Sequence, residues 1–274
     1  MTYKTILVHA GVEPAADSRL QAAVSLGACF EATVFGVGAF AWDPYSDPAL
    51  GYVDAETIQA LRDEVDSDIA DAESRFRKAC ADHVHGAIWR SVVDYPDRAM
   101  AALSRCADLI VASSSAGRAD HRRVANPQNL VMETGLPVML LAPGVQRLQP
   151  RTVVVGWKNT RETRRAVADS LPFLKIAEKV VVMQVREDES TVDAAIELDD
   201  VVGRLDRHGV KVQRESLPRW GATVAEDLLE IAKNNGADLL VLGAYGRARL
   251  REWMFGGVTS DVLAATDCSV LFGR

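Results

Sequence analysis

Short apolar runs rich in β-branched residues alternate along this chain with longer stretches in which apolar positions recur every third or fourth residue. In the second half the short runs are Thr152–Val155, Lys179–Val185, Val210–Glu215, Leu239–Leu242 and Ser269–Phe272. Between them, Arg161–Leu174, Val192–Arg207, Ala222–Asn234 and Leu250–Ala265 carry the helical period. Unbroken apolar runs predict strands covered on both faces, as in a parallel sheet. Their alternation with helices predicts right-handed crossovers and a doubly wound α/β sheet.

The pattern occurs twice. Lys4–Val8 matches Arg151–Val155, Ala107–Val111 matches Ala237–Val241, and Thr134–Leu140 matches Thr266–Phe272. Three matched segments in one order predict two copies of one domain, spanning residues 1–146 and 150–274. The join, from Ala142-Pro143-Gly144 to Gln149-Pro150, is a polar stretch punctuated by Pro and Gly.

The first copy adds an excursion, Ala39–Val53, with Trp42, Pro44, Tyr45, Pro48 and Tyr52. A loop of that length reads as packing between copies or as a ligand lid. A long helix is predicted next, from about Asp54 to His83. Its stripe is Ile58, Leu61, Val65, Ile69, Ala72, Phe76 and Cys80, and the charges between form a solvated face.

The 274 residues are 48% hydrophobic and 25% charged, the balance of a soluble globular protein. No run is long enough for a membrane helix, and the first residues enter a strand rather than an export signal, so a cytoplasmic location is expected. Net charge is −7, with −6 in residues 1–147 and −1 in the remainder. That disfavours a nucleic-acid surface and makes the second half the better place for an anion. Cys29, Cys80, Cys106 and Cys268 show no metal spacing and read as small apolar residues in a reducing compartment.

The sharpest candidate chemistry follows the fourth strand of the second copy. Gly243, two residues, Gly246-Arg247, then Gly256-Gly257 sit where a parallel sheet presents its carboxyl ends. Glycines there let the backbone approach a phosphate, and main-chain N–H groups at the next helix start hold the anion. Their plainer role is tight turns and close helix–strand contact. The first copy has Ala112–Arg118 instead, without the first glycine, and Val124-Ala125-Asn126-Pro127 for the distal pair. Proline lacks the N–H donor, so this copy reads as structural.

Other chemistry finds little support. No Walker or nucleophile-elbow motif occurs. His83-Val84-His85 reads as a polar helix end, His9 as hydrogen-bonded in place, and His121-Arg122-Arg123 as a solvated helix start. Trp157 and Trp220 read as buried aromatics or as stacking platforms for a base.

These motifs make the chain similar to the universal stress protein family over essentially its whole length, in tandem form. The resemblance implies two five-stranded sheets of order 3-2-1-4-5, adenine nucleotide α-hydrolase-like, with the copies paired through their last strands. It implies ATP, with or without magnesium, as ligand of the second copy. Base and ribose would rest on Gly156, Trp157, Lys158 and Val185. The phosphates would lie at Gly243, Gly246, Arg247, Gly256, Gly257, Val258 and Thr259. Two positions depart from the family: Gly257 stands where Ser or Thr is usual, and Lys158 where Asp is usual. The implied function is a stress-response sensor or regulator, with at most slow ATP hydrolysis and no catalytic residue or metal site assigned. The alternative is a scaffold without ligand that works through protein contacts. A monomer with internal pairing and a homodimer are both open.

Overall fold

A computed structural model describes residues 2–43, 54–113, 120–186, 192–244, 261–262 and 267–274. The chain divides into two compact units. One comprises residues 3–134 and 144–147; the other comprises 1–2, 135–143 and 148–274.

The first unit holds strands β1 (Thr5–His9), β2 (Thr33–Ala39), β3 (Ala87–Val92) and β4 (Leu109–Ser113), in the order β3-β2-β1-β4 and parallel. Its helices are α1 (Ala16–Phe30), α2 (Ala55–Ala79), α3 (Pro96–Leu103) and α4 (Pro127–Glu133). The long helix starts as expected, with Asp54 accepting the N–H of Thr57 at 2.7 Å, but ends at Ala79. Beyond it, the imidazole of His83 bonds the carbonyl of Ala32 at 2.9 Å. Of the predicted stripe, Val65, Ala72, Phe76 and Cys80 are buried; Ile58, Leu61 and Ile69 are half-exposed.

The second unit holds β5 (Val138–Leu141), β6 (Thr152–Gly156), β7 (Lys179–Arg186), β8 (Val212–Pro218), β9 (Leu239–Gly243) and β10 (Ser269–Gly273). Between them run α5 (Arg161–Ile176), α6 (Val192–Arg207) and α7 (Val224–Asn234). The second copy's own strands lie in the order 3-2-1-4-5, all parallel. The last strand of the first copy, β5, pairs antiparallel with the last strand of the second, β10, with Leu140 opposite Val270 and Met139 opposite Leu271. The helix expected over Leu250–Ala265 lies outside the described residues except at Asp261 and Val262, which are helical.

The apolar runs explain the central strands. Ile6, Leu7 and Val8, like Val153, Val154 and Val155, are wholly inaccessible. Each such side chain contributes about 1.5–3 kcal/mol on leaving water. The run Val210–Glu215 is a correction. Its strand is β8, from Val212 to Pro218, and most of it is exposed. As the third strand of its copy it stands at the sheet margin, where a proline is tolerated. Among the described residues, no helix is long and apolar enough to cross a membrane.

Candidate functional site

In the sheet of the second copy the strand order reverses between the parallel strands β6 and β9. Val155 pairs with Val241, so Gly156 and Gly243 end adjacent strands at one carboxyl crest. Beside β6, the N–H of Trp157 donates to the carbonyl of Met183 at 2.6 Å. That pairing continues the β6–β7 register and sets Trp157 alongside Gln184, with Val185 and Arg186 next along β7.

Trp157 is only 7% exposed, as an aromatic at a strand end suggests. Its indole Nε1, the Oε1 of Gln184 and the Nε of Arg186 are buried atoms with no hydrogen-bond partner among the described residues. Two donors and one acceptor left open at one crest are uncommon in a native fold and call for a partner. Residues 184 and 186 were not singled out by the sequence pattern. Their signal is slight: polar residues two apart, ending an apolar strand.

Lys158 is exposed, and its carbonyl accepts the N–H of Thr160 at 2.6 Å. Thr160 then caps α5, its hydroxyl accepting from the N–H of Thr163 at 3.2 Å. The first turn of α5 lies against the end of β9. A Cβ added at Gly243 would stand 2.5 Å from the backbone nitrogen of Thr163 and 2.7 Å from its hydroxyl oxygen. The first glycine of the loop therefore serves close helix–strand contact. Gly246, Arg247, Gly256, Gly257, Val258 and Thr259 lie outside the described residues.

The neighbouring loop after β8 is held by Asp227, a fully buried carboxylate on α7. It accepts the N–H of Gly221 at 2.7 Å and that of Trp220 at 3.4 Å. Thr223 caps α7 while Glu226 accepts the N–H of Ala222, close to a capping box. Trp220, read as buried or stacking, is 47% exposed, its indole donating to Glu230 at 3.0 Å.

The crest of the first unit is filled by its own side chains. Arg19, 3% exposed on α1, donates from Nε to the carbonyl of His9 at 2.8 Å and from its terminal nitrogen to Ser113 Oγ at 2.6 Å. Glu13 Oε1 lies 2.6 Å from the same nitrogen, an ion pair by distance without hydrogen-bond alignment. His9, expected to be hydrogen-bonded in place, meets the carbonyl of Ala39 through Nε2 at 3.1 Å. A carbonyl only accepts, so Nε2 carries the proton. Burial, and then the charge of Arg19, lower its pKa to about 4. A space of about 10 Å3, room for one water, is left between His9, Arg19 and Ser113 and the apolar side chains of Val111, Ala125 and Leu130. Ser113 belongs to the serine run read as a polar turn, and its hydroxyl accepts from Arg19. Glu13 and Arg19 did not stand out in the sequence, because a lone arginine in a helix pattern reads as solvated.

Residues 120–123 meet the chain just beyond β2 and the face of α2. The N–H of Ala41 donates to the carbonyl of Arg122 at 2.9 Å. Arg122 pairs with Asp120, and Arg123 with Asp68 and Glu64 on α2. This corrects the reading of His121-Arg122-Arg123 as a solvated helix start, since α4 begins only at Pro127. His121 instead stacks on Tyr95, whose hydroxyl donates to Asp43 at 2.7 Å. Trp42, at the start of the excursion, lies 4.6 Å under the guanidinium of Arg62. Residues 44–53 of the excursion lie outside the described residues. The cysteines also depart from expectation: Cys80 is buried, but Cys29 and Cys106 are exposed. Among the described residues no cluster of metal-ligating side chains occurs.

No curated protein matches the chain. Solved structures do. A universal stress protein from Archaeoglobus fulgidus DSM 4304 superposes with a TM-score of 0.70 at 13% identity, covering 98% of this chain and 96% of its own. A putative universal stress protein from Pseudomonas aeruginosa UCBPP-PA14 gives 0.61 at 13% identity, covering 98% and 92%. At such identities the likeness is one of fold. The sequence profile of the Universal stress protein family matches residues 151–274. The second half of this tandem chain is a universal stress protein domain, and the whole chain has the fold of that family.

Proposed function

We propose that the chain is a cytoplasmic stress-response sensor or regulator with domains spanning 1–146 and 150–274, the second of which binds an adenine nucleotide of the ATP class. One observation carries this reading. The spacing Gly243-x2-Gly246-x9-Gly256 begins where β9 ends, beside the end of β6, at the point where the strand order reverses. Ligands of open α/β sheets sit at that point. Gly156, Trp157, Lys158 and Val185 would take the base and ribose. Gly246, Arg247, Gly256, Gly257, Val258 and Thr259 would take the phosphates, with magnesium as counter-ion. The open donors of Trp157 and Arg186 and the open acceptor of Gln184 fit a polar ligand there. Lys158, in place of an acidic residue, favours the anionic end of such a ligand.

A thermal-shift titration with ATP, ADP and AMP, with and without magnesium, tests it. A ligand at 100 times its Kd stabilises by ~2.7 kcal/mol, which moves the melting temperature by a few degrees. Gly246→Val should abolish the shift while leaving the melting temperature of the free protein in place. No shift with any nucleotide at millimolar concentration overturns the reading.

The burial of Trp157 favours a second reading. A large side chain lodged at the crest suits a scaffold that holds no nucleotide and works through protein contacts. The titration separates the two, because the scaffold gives no shift.

A further inference from the structure

The first unit places a buried cation at the carboxyl ends of β1 and β4, the position where the second copy is read as holding a ligand. Arg19 joins His9 at the end of β1 to Ser113 at the end of β4. Those partners are a carbonyl and a hydroxyl; neither offsets the positive charge. A buried charge without a counter-charge is strongly destabilising, so an anion must be near. Among the described residues the one at hand is Glu13, 2.6 Å away and 18% exposed, on the turn between β1 and α1.

The backbone is shaped to admit it. A Cβ added at Gly11 would overlap Glu13 Oε2 and come within 3.2 Å of the unpartnered terminal nitrogen of Arg19. Glycine at 11 therefore reserves the space the carboxylate occupies. The arrangement belongs to this copy alone. By the alignment of Lys4 with Arg151, Glu13 corresponds to Thr160 and Arg19 to Ala166, which is buried beneath β10.

We propose that the crest of the first unit is a small-anion site whose anion is the chain's own Glu13 carboxylate, seated on Arg19 and given room by Gly11. The first unit is thereby closed to nucleotides by an internal ligand and not merely by a missing motif. Truncating Glu13 to its Cβ vacates the room its own carboxylate fills beside Arg19, so the site takes a small carboxylate such as formate. Truncating Glu13 leaves a cleft that reaches solvent, since the side chain is partly exposed.

The test is chemical rescue in the full-length chain. Melting of wild type and of Glu13→Ala is followed in sodium formate and in sodium chloride of equal ionic strength, so that screening is the same in both. The expected result is that Glu13→Ala melts several degrees below wild type in chloride and recovers in formate, while wild type is indifferent to the choice. Gly11→Ala should melt low and resist rescue, because its Cβ blocks formate as it blocks Glu13. Glu13→Ala/Arg19→Met should lose the formate response. Equal melting of wild type and Glu13→Ala overturns the proposal, as does a formate response of the same size in wild type or in the double variant. Should Glu13→Ala fail to fold, Glu13→Gln keeps the shape and removes the charge; melting at the wild-type temperature would then overturn it.

Discussion

The carboxylate of Asp238 accepts the backbone N–H of Thr152 at 2.9 Å, tying the start of β9 to the start of β6 across 86 residues. The same oxygen accepts the N–H of Arg151 at 2.8 Å. In the first unit, Asp108 does the same for Lys4 and Thr5, at 2.8 and 2.9 Å. This explains why Ala-Asp-Leu recurs: the aspartate ties the first strand of each copy to its fourth. Asp238→Ala and Asp108→Ala should each cost about 1–2 kcal/mol, the low range for bonds to a charged acceptor because both sites face water. The two effects should add within about 0.5 kcal/mol, since the sites share no partner. Denaturant melts of the single and double variants check this, and an unshifted double variant would refute the tie.

His9 predicts a pH dependence. Its folded pKa is about 4, against 6.5 for the free side chain, chiefly because burial disfavours the charged ring. The unfolded chain therefore binds the extra proton first. Stability from this group is full above pH 6.5 and is lost as pH falls towards 4, by about 3 kcal/mol in all at 1.36 kcal/mol per pKa unit. His9→Gln should flatten the stability profile between pH 6.5 and 4 by close to one proton. Parallel profiles for the two proteins would count against it.

Gly243→Ala should destabilise the second unit. Its Cβ meets backbone atoms of Thr163 and Glu162 at 2.5 and 2.8 Å, and backbone in a helix cannot turn aside as a side chain can. A cost of about 1–3 kcal/mol is expected for such overpacking. Calorimetry should show it, and a melting temperature equal to wild type would mean α5 moves freely.

Lys158→Ala bears on the proposed nucleotide. If Lys158 attracts phosphates, its loss should weaken ATP more than AMP, by about threefold to tenfold, and the difference should shrink as salt rises. Equal losses for the two nucleotides would place Lys158 away from the phosphate chain.

Thiol labelling should separate the cysteines. Burial pushes the Cys80 thiol up to about 11 and Cys29 upward in the same direction. Cys106 is exposed and should label first in the native protein at pH 8, with Cys29 slower and Cys80 labelling only on unfolding. Native labelling of Cys80 at the rate of Cys106 would show that α2 opens readily.

Hydrophobic period and internal repetition determined much of this protein by themselves. The strands over Thr152–Val155, Leu239–Leu242 and Ser269–Phe272 each lie within one residue of their observed limits, and the helix over Val192–Arg207 matches both ends. Those signals are local, because a side chain's burial in a strand or helix repeats at a fixed spacing. The glycine spacing after β9 is a pattern of sequence alone, since from Gly246 onward it lies outside the described residues. Tertiary structure decided what no spacing encodes. Val210–Glu215 gave an exposed marginal strand because its place in the sheet, not its composition, sets how many faces are covered. Gly243 fits against α5 because a helix 80 residues earlier in the chain returns to it. Arg19 lies buried against Glu13 and Ser113 because three separate segments converge at one crest, and a charge is tolerated in the interior only where such convergence supplies its partners.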